Sequence, residues 1–290
     1  MSILNELKQQ YQFGGAITQI IFWNVILFAL PLVLQSVLMM FGIHWEYAQW
    51  ISLSSSPTEL LYKPWSIFTY AFFHFDFLHL IFNMITLHFI GVIFHVFFTQ
   101  KQLVGLYILG ILFSGLIYIL SFFVFPILES RVVPLIGASG AIMAIIFASA
   151  SYSPHTPVRL LLIGNVKLWH IAMVFLILDI IQLPYQNTGG HLAHLGGALF
   201  GYLYIVLLKS GTDLSKFWSY LTAEGAKLFQ PQKNKKFTVH RNTTPPDFNK
   251  NRIIKTKTQQ QIDEILDKIS KSGYDSLSKE EKDFLFKAGK

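Results

Sequence analysis

Gly137-Ala138-Ser139-Gly140-Ala141 opens a run that continues to Tyr152 without a charged residue. A hydroxyl at the head of an apolar, glycine-flanked segment is a costly choice unless something partners it. A second stretch, Ala193-His194-Leu195-Gly196-Gly197, sets an imidazole in equally apolar surroundings. Each lies near the start of a membrane-length segment and is flanked by residues small enough to let helices touch. Placed that way, they are a nucleophile and a base in search of each other.

Composition places both stretches in a bilayer, because 52% hydrophobic and 13% charged residues are a poor match for a water-facing surface. Apolar segments run from about Thr18 to Phe41, His79 to Phe98, Leu103 to Phe125, Ser139 to Tyr152, Leu168 to Leu183 and Gly190 to Leu208. Most approach the ~20 residues a spanning helix needs. The fold class is therefore an all-α, six-helix membrane protein. No charged-then-apolar leader with a cleavable small-residue site precedes the first segment, so it is expected to be a retained span. Cysteine is absent, which excludes disulfides and thiolate metal sites.

Lys8, Lys101, Arg159 and Lys167 fall on one side of such a bundle, and only Lys63 and Arg131 on the other. The positive-inside rule then puts both termini in the cytoplasm. Six of the 23 Lys and Arg precede Lys209, and all the others lie from there onward. In this topology the second, fourth and sixth helices all enter from the outer face. Their polar residues cluster at those entrances: His79 and Asn83, then Ser139, then His194. Three distant segments thus carry polar groups at one depth, where a hydrated cavity can form.

The fourth segment, at ~1.5 Å per residue, reaches only ~21 Å of a ~30 Å core, so the loop before it must dip inward. Its first amides and positive dipole end would face the cavity and suit an oxyanion beside Ser139. His79 and Asn83, four apart, share a helix face and are candidate further donors. Gly137, Gly140 and Ala141 on one side, and Gly197 with Gly201 in a GxxxG spacing on the other, are expected to let the fourth and sixth helices pack closely.

These residues together resemble the rhomboid intramembrane serine proteases: Gly137-Ala138-Ser139-Gly140 is similar to the family's nucleophile motif, Ala193-His194-Leu195-Gly196-Gly197 to its base motif, and His74, His79 and Asn83 to its HxxxxHxxxN. The resemblance covers about residues 15 to 210. It implies a rhomboid-like bundle, Ser139 as nucleophile and His194 as general base. The Ser139 amide with His79 and Asn83 would form the oxyanion hole, and His74 would support the outer loop. Two departures stand out. Met143 occupies the position one turn after the nucleophile where some members stack a Tyr, and Pro64-Trp65-Ser66 replaces a Trp-Arg pair in the first outer loop. Implied substrates are single-span membrane proteins whose helices must partly unwind. The rival is an inactive rhomboid-like protein that binds membrane helices, with a transporter third.

Other polar residues have plainer readings. His191 and His194 form an i, i+3 pair that could bind a metal, but no third ligand is apparent, so neither metal nor cofactor is expected. His191 then reads as an interface residue. Asp179 reads as a cavity-lining acid or a partner of Gln182 rather than a catalytic group. His88, His95 and His170 read as helix-to-helix bonding or interface anchors. Residues 1–15 form a cytoplasmic segment, 16–209 the membrane domain, 210–260 a basic disordered linker held against anionic lipid, and 261–290 a small helical hairpin. Interleaved aromatics are lacking, so nucleic acid is not an expected partner. In the hairpin Ile262, Ile265, Leu266 and Ile269 share one face, Gly273 ends the helix, and Ser278 with Glu281 forms a capping box. Some bacterial rhomboids carry a similar tail, which implies a bacterial inner membrane. At about 30 residues it buries little core, so it is expected to dock on a partner.

Overall fold

The computed structural model describes residues 2–125, 128, 134–161, 163–185, 187–218, 220 and 248–288, with side chains in the last stretch described from 259. Arg131 and most of the expected linker lie outside these residues. The chain divides into two compact units, Met1–Gln230 and Pro231–Lys290.

The first unit begins with α1 (Ile3–Phe13) and the long α2 (Gly15–Met40). Three short helical pieces follow, α3 (Ala48–Ile51), α4 (Pro57–Tyr62) and α5 (Ser66–Thr69), then a 3-10 turn over Tyr70–Phe72. The remaining helices are α6 (Phe77–His95), α7 (Gln100–Val124), α8 (Ser139–Tyr152), α9 (Leu168–Gln182) and α10 (Thr188–Lys209). Each of the six apolar segments is a helix within a few residues of its expected bounds. Among the described residues α2, α6, α7 and α10 are long and apolar enough to cross a membrane, while α8 and α9 are shorter. Their starts follow local chemistry. Asp76 accepts from the His79 amide at 2.8 Å to cap α6, and Thr99 with Gln102 forms a reciprocal capping box on α7. Between α8 and α9 the chain makes an unanticipated antiparallel hairpin, β1 (Pro157–Leu160) and β2 (Gly164–Lys167), with Arg159 opposite Asn165.

Burial separates a centre from a rim. α2 is apolar throughout yet buries only Ala16, Ile17 and Asn24, so its side chains face whatever surrounds the protein. α8 buries Gly140 through Ile146 without interruption, then Ala148 to Ala150. It packs against α6, α7 and α10. The contact with α10 depends on missing side chains: a Cβ on Gly197 would collide with the Gly140 carbonyl oxygen, and one on Gly201 with that of Ala144. The glycine spacing thus does what was expected of it, with Ala144 as the second facing residue. Gly137 plays another part. Its φ is 127°, and a Cβ there would sit 2.7 Å from His79 Cε1. It is a turn residue against an imidazole and not part of the helix-packing face.

The chain descends to α8 inside the protein. Leu53 and Leu135 exchange hydrogen bonds of 3.0 and 2.8 Å, and the Gly137 amide donates to Tyr70 O at 2.9 Å. Leu135, Ile136 and Ala138 are buried. Past α10, Asp213 accepts from Tyr204 OH (3.1 Å), Gln102 Nε2 (3.3 Å) and Ser215 (amide 2.9 Å, hydroxyl 2.6 Å), tying the end of α10 to the start of α7. Burial raises the Asp213 carboxyl pKa, but the Ser215, Tyr204 and Gln102 donors outweigh it and hold the group below its ordinary value.

The second unit is a helical hairpin of α11 (Phe248–Ser272) and α12 (Lys279–Ala288), joined through Gly273 at φ 77° and a 3-10 turn over Tyr274–Ser276. α11 begins within the stretch expected to be linker, well before residue 261. Ile265 and Leu277 are buried, but Leu266 is 50% exposed and points away from the face assigned to it. The capping box is present: Ser278 N donates to Glu281 Oε2 at 2.7 Å and Glu281 N to Ser278 Oγ at 3.2 Å. Lys268 Nζ also reaches Glu281 at 2.8 Å.

Candidate active site

Ser139 is the first residue of α8, and no side chain caps that helix. Its first-turn amides are therefore left to face an acceptor from elsewhere. His194 lies in the second turn of α10, on the side where Gly197 lets the two helices meet. Ser139 Oγ and His194 Nε2 are 2.6 Å apart. On the other side of the ring His194 Nδ1 lies 2.8 Å from Asp179 Oδ1 of α9. His191 Nδ1 lies 2.7 Å from the same oxygen.

An ionised carboxylate only accepts hydrogen bonds, so both Nδ1 atoms carry their protons and donate to Asp179. His194 Nε2 then holds a lone pair and accepts from the Ser139 hydroxyl. A hydroxyl, an imidazole in the accepting tautomer and an orienting carboxylate are thus in line. Ser139 and His194 are half-buried, while Asp179 and His191 are buried. They line a cavity of about 300 Å³ with His79, Asn83 and Met143.

His79 and Asn83 reach this cavity, as their spacing suggests, but Asn83 Nδ2 donates to His79 O at 2.9 Å within its own helix. The His79 ring stacks on Phe75 at 6.3 Å and meets the His74 ring edge-on at 5.0 Å. His74 is 3% exposed, and neither ring nitrogen has a hydrogen-bond partner among the described residues. Burial, with the His79 ring adding to it, pushes His74 down to about 3. It stays neutral at physiological pH. Met143 is buried and closes the cavity wall. Trp65, between α2 and α6, donates from Nε1 to Trp50 O at 2.8 Å.

Readings of two single residues are refined. Asp179 lines the cavity, as one of its two readings had it, but it accepts from both imidazoles and is not a partner of Gln182, whose amide donates to Leu178 O at 3.3 Å. His191 belongs to the same polar cluster and is not merely an interface residue. The signal was in the sequence: an acid four residues from the end of the fifth segment needs donors at that depth, and the sixth offers His191 and His194 near its own start. His95 Nδ1 lies 3.3 Å from Phe98 O, and the Lys167 amide donates to His170 Nδ1 at 3.4 Å, both local contacts.

A larger apolar crevice, about 640 Å³, runs beside the cavity and is lined from α6, α9 and the β-hairpin. It shares Thr86, Ile146 and Phe175 with the cavity, so the two adjoin.

Residues 62–211 match the Rhomboid domain. Residues 247–287 match a family of unknown function (DUF6576). The chain is 29% identical over 159 residues to the presenilin-associated rhomboid-like protein A, mitochondrial, of Danio rerio, covering 52% of this chain and 40% of that protein. It is 29% identical over 195 residues to the presenilin-associated rhomboid-like protein, mitochondrial, of Rattus norvegicus, covering 60% and 47%. The match thus spans less than half the length of these relatives.

Proposed function

We propose, from the premise that this chain belongs to the rhomboid family and is an integral membrane protein, that it is a serine endopeptidase cutting the transmembrane helices of other membrane proteins. The observation that carries this reading is the 2.6 Å approach of Ser139 Oγ to His194 Nε2 at an uncapped helix start in a polar cavity. A protein that only bound helices has no use for that pair in the reactive tautomer.

In the reaction His194 Nε2 takes the hydroxyl proton as Ser139 Oγ attacks the scissile carbonyl, then passes it to the leaving amine. Asp179 keeps the Nδ1 proton in place and favours the imidazolium. A water activated by the same nitrogen hydrolyses the acyl-enzyme. The developing oxyanion is met by the Ser139 amide at the positive end of α8, with His79 beside it and Asn83 after its amide turns from His79 O. A substrate helix reaches Ser139 from the bilayer through the apolar crevice and must unwind to present its backbone, which favours small or helix-weakening residues at the cut. The loop asymmetry of Lys and Arg supports an orientation with both termini in the cytoplasm, and the resemblance of the tail to that of some bacterial rhomboids supports a bacterial inner membrane. The hairpin tail would engage a further partner.

Fluorophosphonate labelling of the wild type and of Ser139→Ala tests the reading. A covalent adduct that disappears in Ser139→Ala is expected, together with release of a co-expressed single-span protein. No Ser139-dependent adduct would sink it.

A further inference from the structure

We propose that Asp179, His191 and His194 also form a binding site for a divalent cation of the zinc type, and that the bound cation holds the protease off. The sequence offers a histidine pair without a third ligand; the fold supplies the third from α9. One ligand atom from each residue lies within 4.8 Å of the others, and both Nδ1 atoms converge on a single carboxylate oxygen, at 2.7 and 2.8 Å.

Two imidazole nitrogens and a carboxylate are a donor set suited to zinc and poorly suited to magnesium or calcium, which favour oxygen. Zinc holds such ligands at roughly 2.0–2.2 Å in a tetrahedron, which sets them about 3.4 Å apart. Each Nδ1 atom and the Asp179 oxygen need to separate by roughly 0.6–0.7 Å from their 2.7 and 2.8 Å approach, within reach of side-chain rotation. The cavity leaves room for water as a fourth ligand, and among the described residues that line it there is no Lys or Arg to repel a cation. His191 and His194 stand one turn apart on α10, so two ligands are preset by one helix.

The consequence for catalysis follows from tautomers and rests on the reading of His194 as base. A cation on His194 Nδ1 displaces the proton there to Nε2, with no net change in the imidazole's proton count. Nε2–H then donates to Ser139 Oγ and can no longer accept its proton. The hydroxyl keeps a partner but loses its base. His191 undergoes the same exchange, and Asp179 trades two N–H donors for the metal.

Equilibrium dialysis of the full Ser139→Ala chain in detergent against zinc chloride tests binding without relying on proteolysis. One zinc per chain is expected, undisturbed by excess magnesium. His191→Asn keeps an N–H donor for Asp179 but loses the metal ligand, and should bind more than about tenfold more weakly, since even outer-shell partners of metal sites are worth ~10–100-fold. Equal binding in this variant means an adventitious ion only and overturns the site. Zinc-edge X-ray absorption on the Ser139→Ala chain gives an answer whether or not the variant folds: two imidazoles in the first shell support the site, and an all-oxygen or single-imidazole shell overturns it. Fluorophosphonate labelling of the wild type is a separate arm. Loss of labelling with zinc and recovery with a chelator support the blocking role, whereas labelling unaffected by bound zinc overturns it. A chain that binds zinc there but never labels keeps the site and refutes the protease.

Discussion

α8 and α9 are both short apolar helices, 14 and 15 residues long, yet they hold their polar residues by opposite means. α8 is buried on every side, and its neighbours reach its backbone through glycine. α9 buries only Leu168, Ala172 and Asp179, while Val174, Ile177, Ile180 and Ile181 are exposed. Ser139 is thus placed by close packing of main chain. Near its C-terminal end α9 accepts hydrogen bonds at Asp179 from two imidazoles of α10. On the proposed reading, rigid placement suits the nucleophile, and a lightly packed wall beside an apolar crevice suits a helix past which a substrate would enter.

Ser139→Ala should give the largest effect, because it removes the hydroxyl that His194 Nε2 meets at 2.6 Å. Cleavage is expected to fall by at least about 10³-fold with unchanged thermal stability. Next is Asp179→Asn. An amide in place of the carboxylate no longer enforces the accepting tautomer of His194, and kcat should fall by ~10²–10⁴ with a far smaller change in KM. A loss of under about threefold would mean that packing alone orients His194, and the contrast between the two helices would lose its functional meaning.

Gly201→Leu probes the packed side of the comparison. Its Cβ would strike the Ala144 carbonyl oxygen, which helix displacement alone can relieve, at a cost of roughly 1–3 kcal/mol or more. Thermal unfolding in detergent should shift down by several degrees, with cleavage falling in parallel as Ser139 and His194 separate. An unshifted transition would show that α8 and α10 do not pack this closely.

The same contrast explains what was readable in the chain. The six apolar segments were legible because a charge-free run in a bilayer has few alternatives to a helix. Gly197 and Gly201 were legible because their spacing is a statement about one helix face. The capping box of Ser278 and Glu281 was legible because it is local. Asp179 was legible only in part: an acid at that depth calls for donors from the start of the sixth segment, but that it meets both imidazoles and not Gln182 depends on how α9 is rotated against α10, which no pattern within α9 records. Gly137 was assigned to packing because small size and left-handed φ look alike in sequence. The early start of α11 was hidden by its Lys, Asn, Thr and Gln, whose polarity reads as a solvated linker although they are compatible with a helix.

The smallest effect is expected on the outer face of α9. Ile180 is 50% exposed and lies one residue from Asp179, so Ile180→Ala tests whether nearness in sequence matters without contact. If lipid covers this face, the side chain exchanges one apolar surrounding for another on folding, and the transfer gain that makes a core isoleucine worth 2–5 kcal/mol does not arise. Stability should change by no more than about 0.5 kcal/mol, and Ser139 labelling should proceed at the wild-type rate. Ile145→Ala in α8, at a residue 0% exposed, is the matched control and should cost several-fold more. Equal costs for the two would mean that α9 is as firmly packed as α8, and that the wall beside the crevice is not the yielding one.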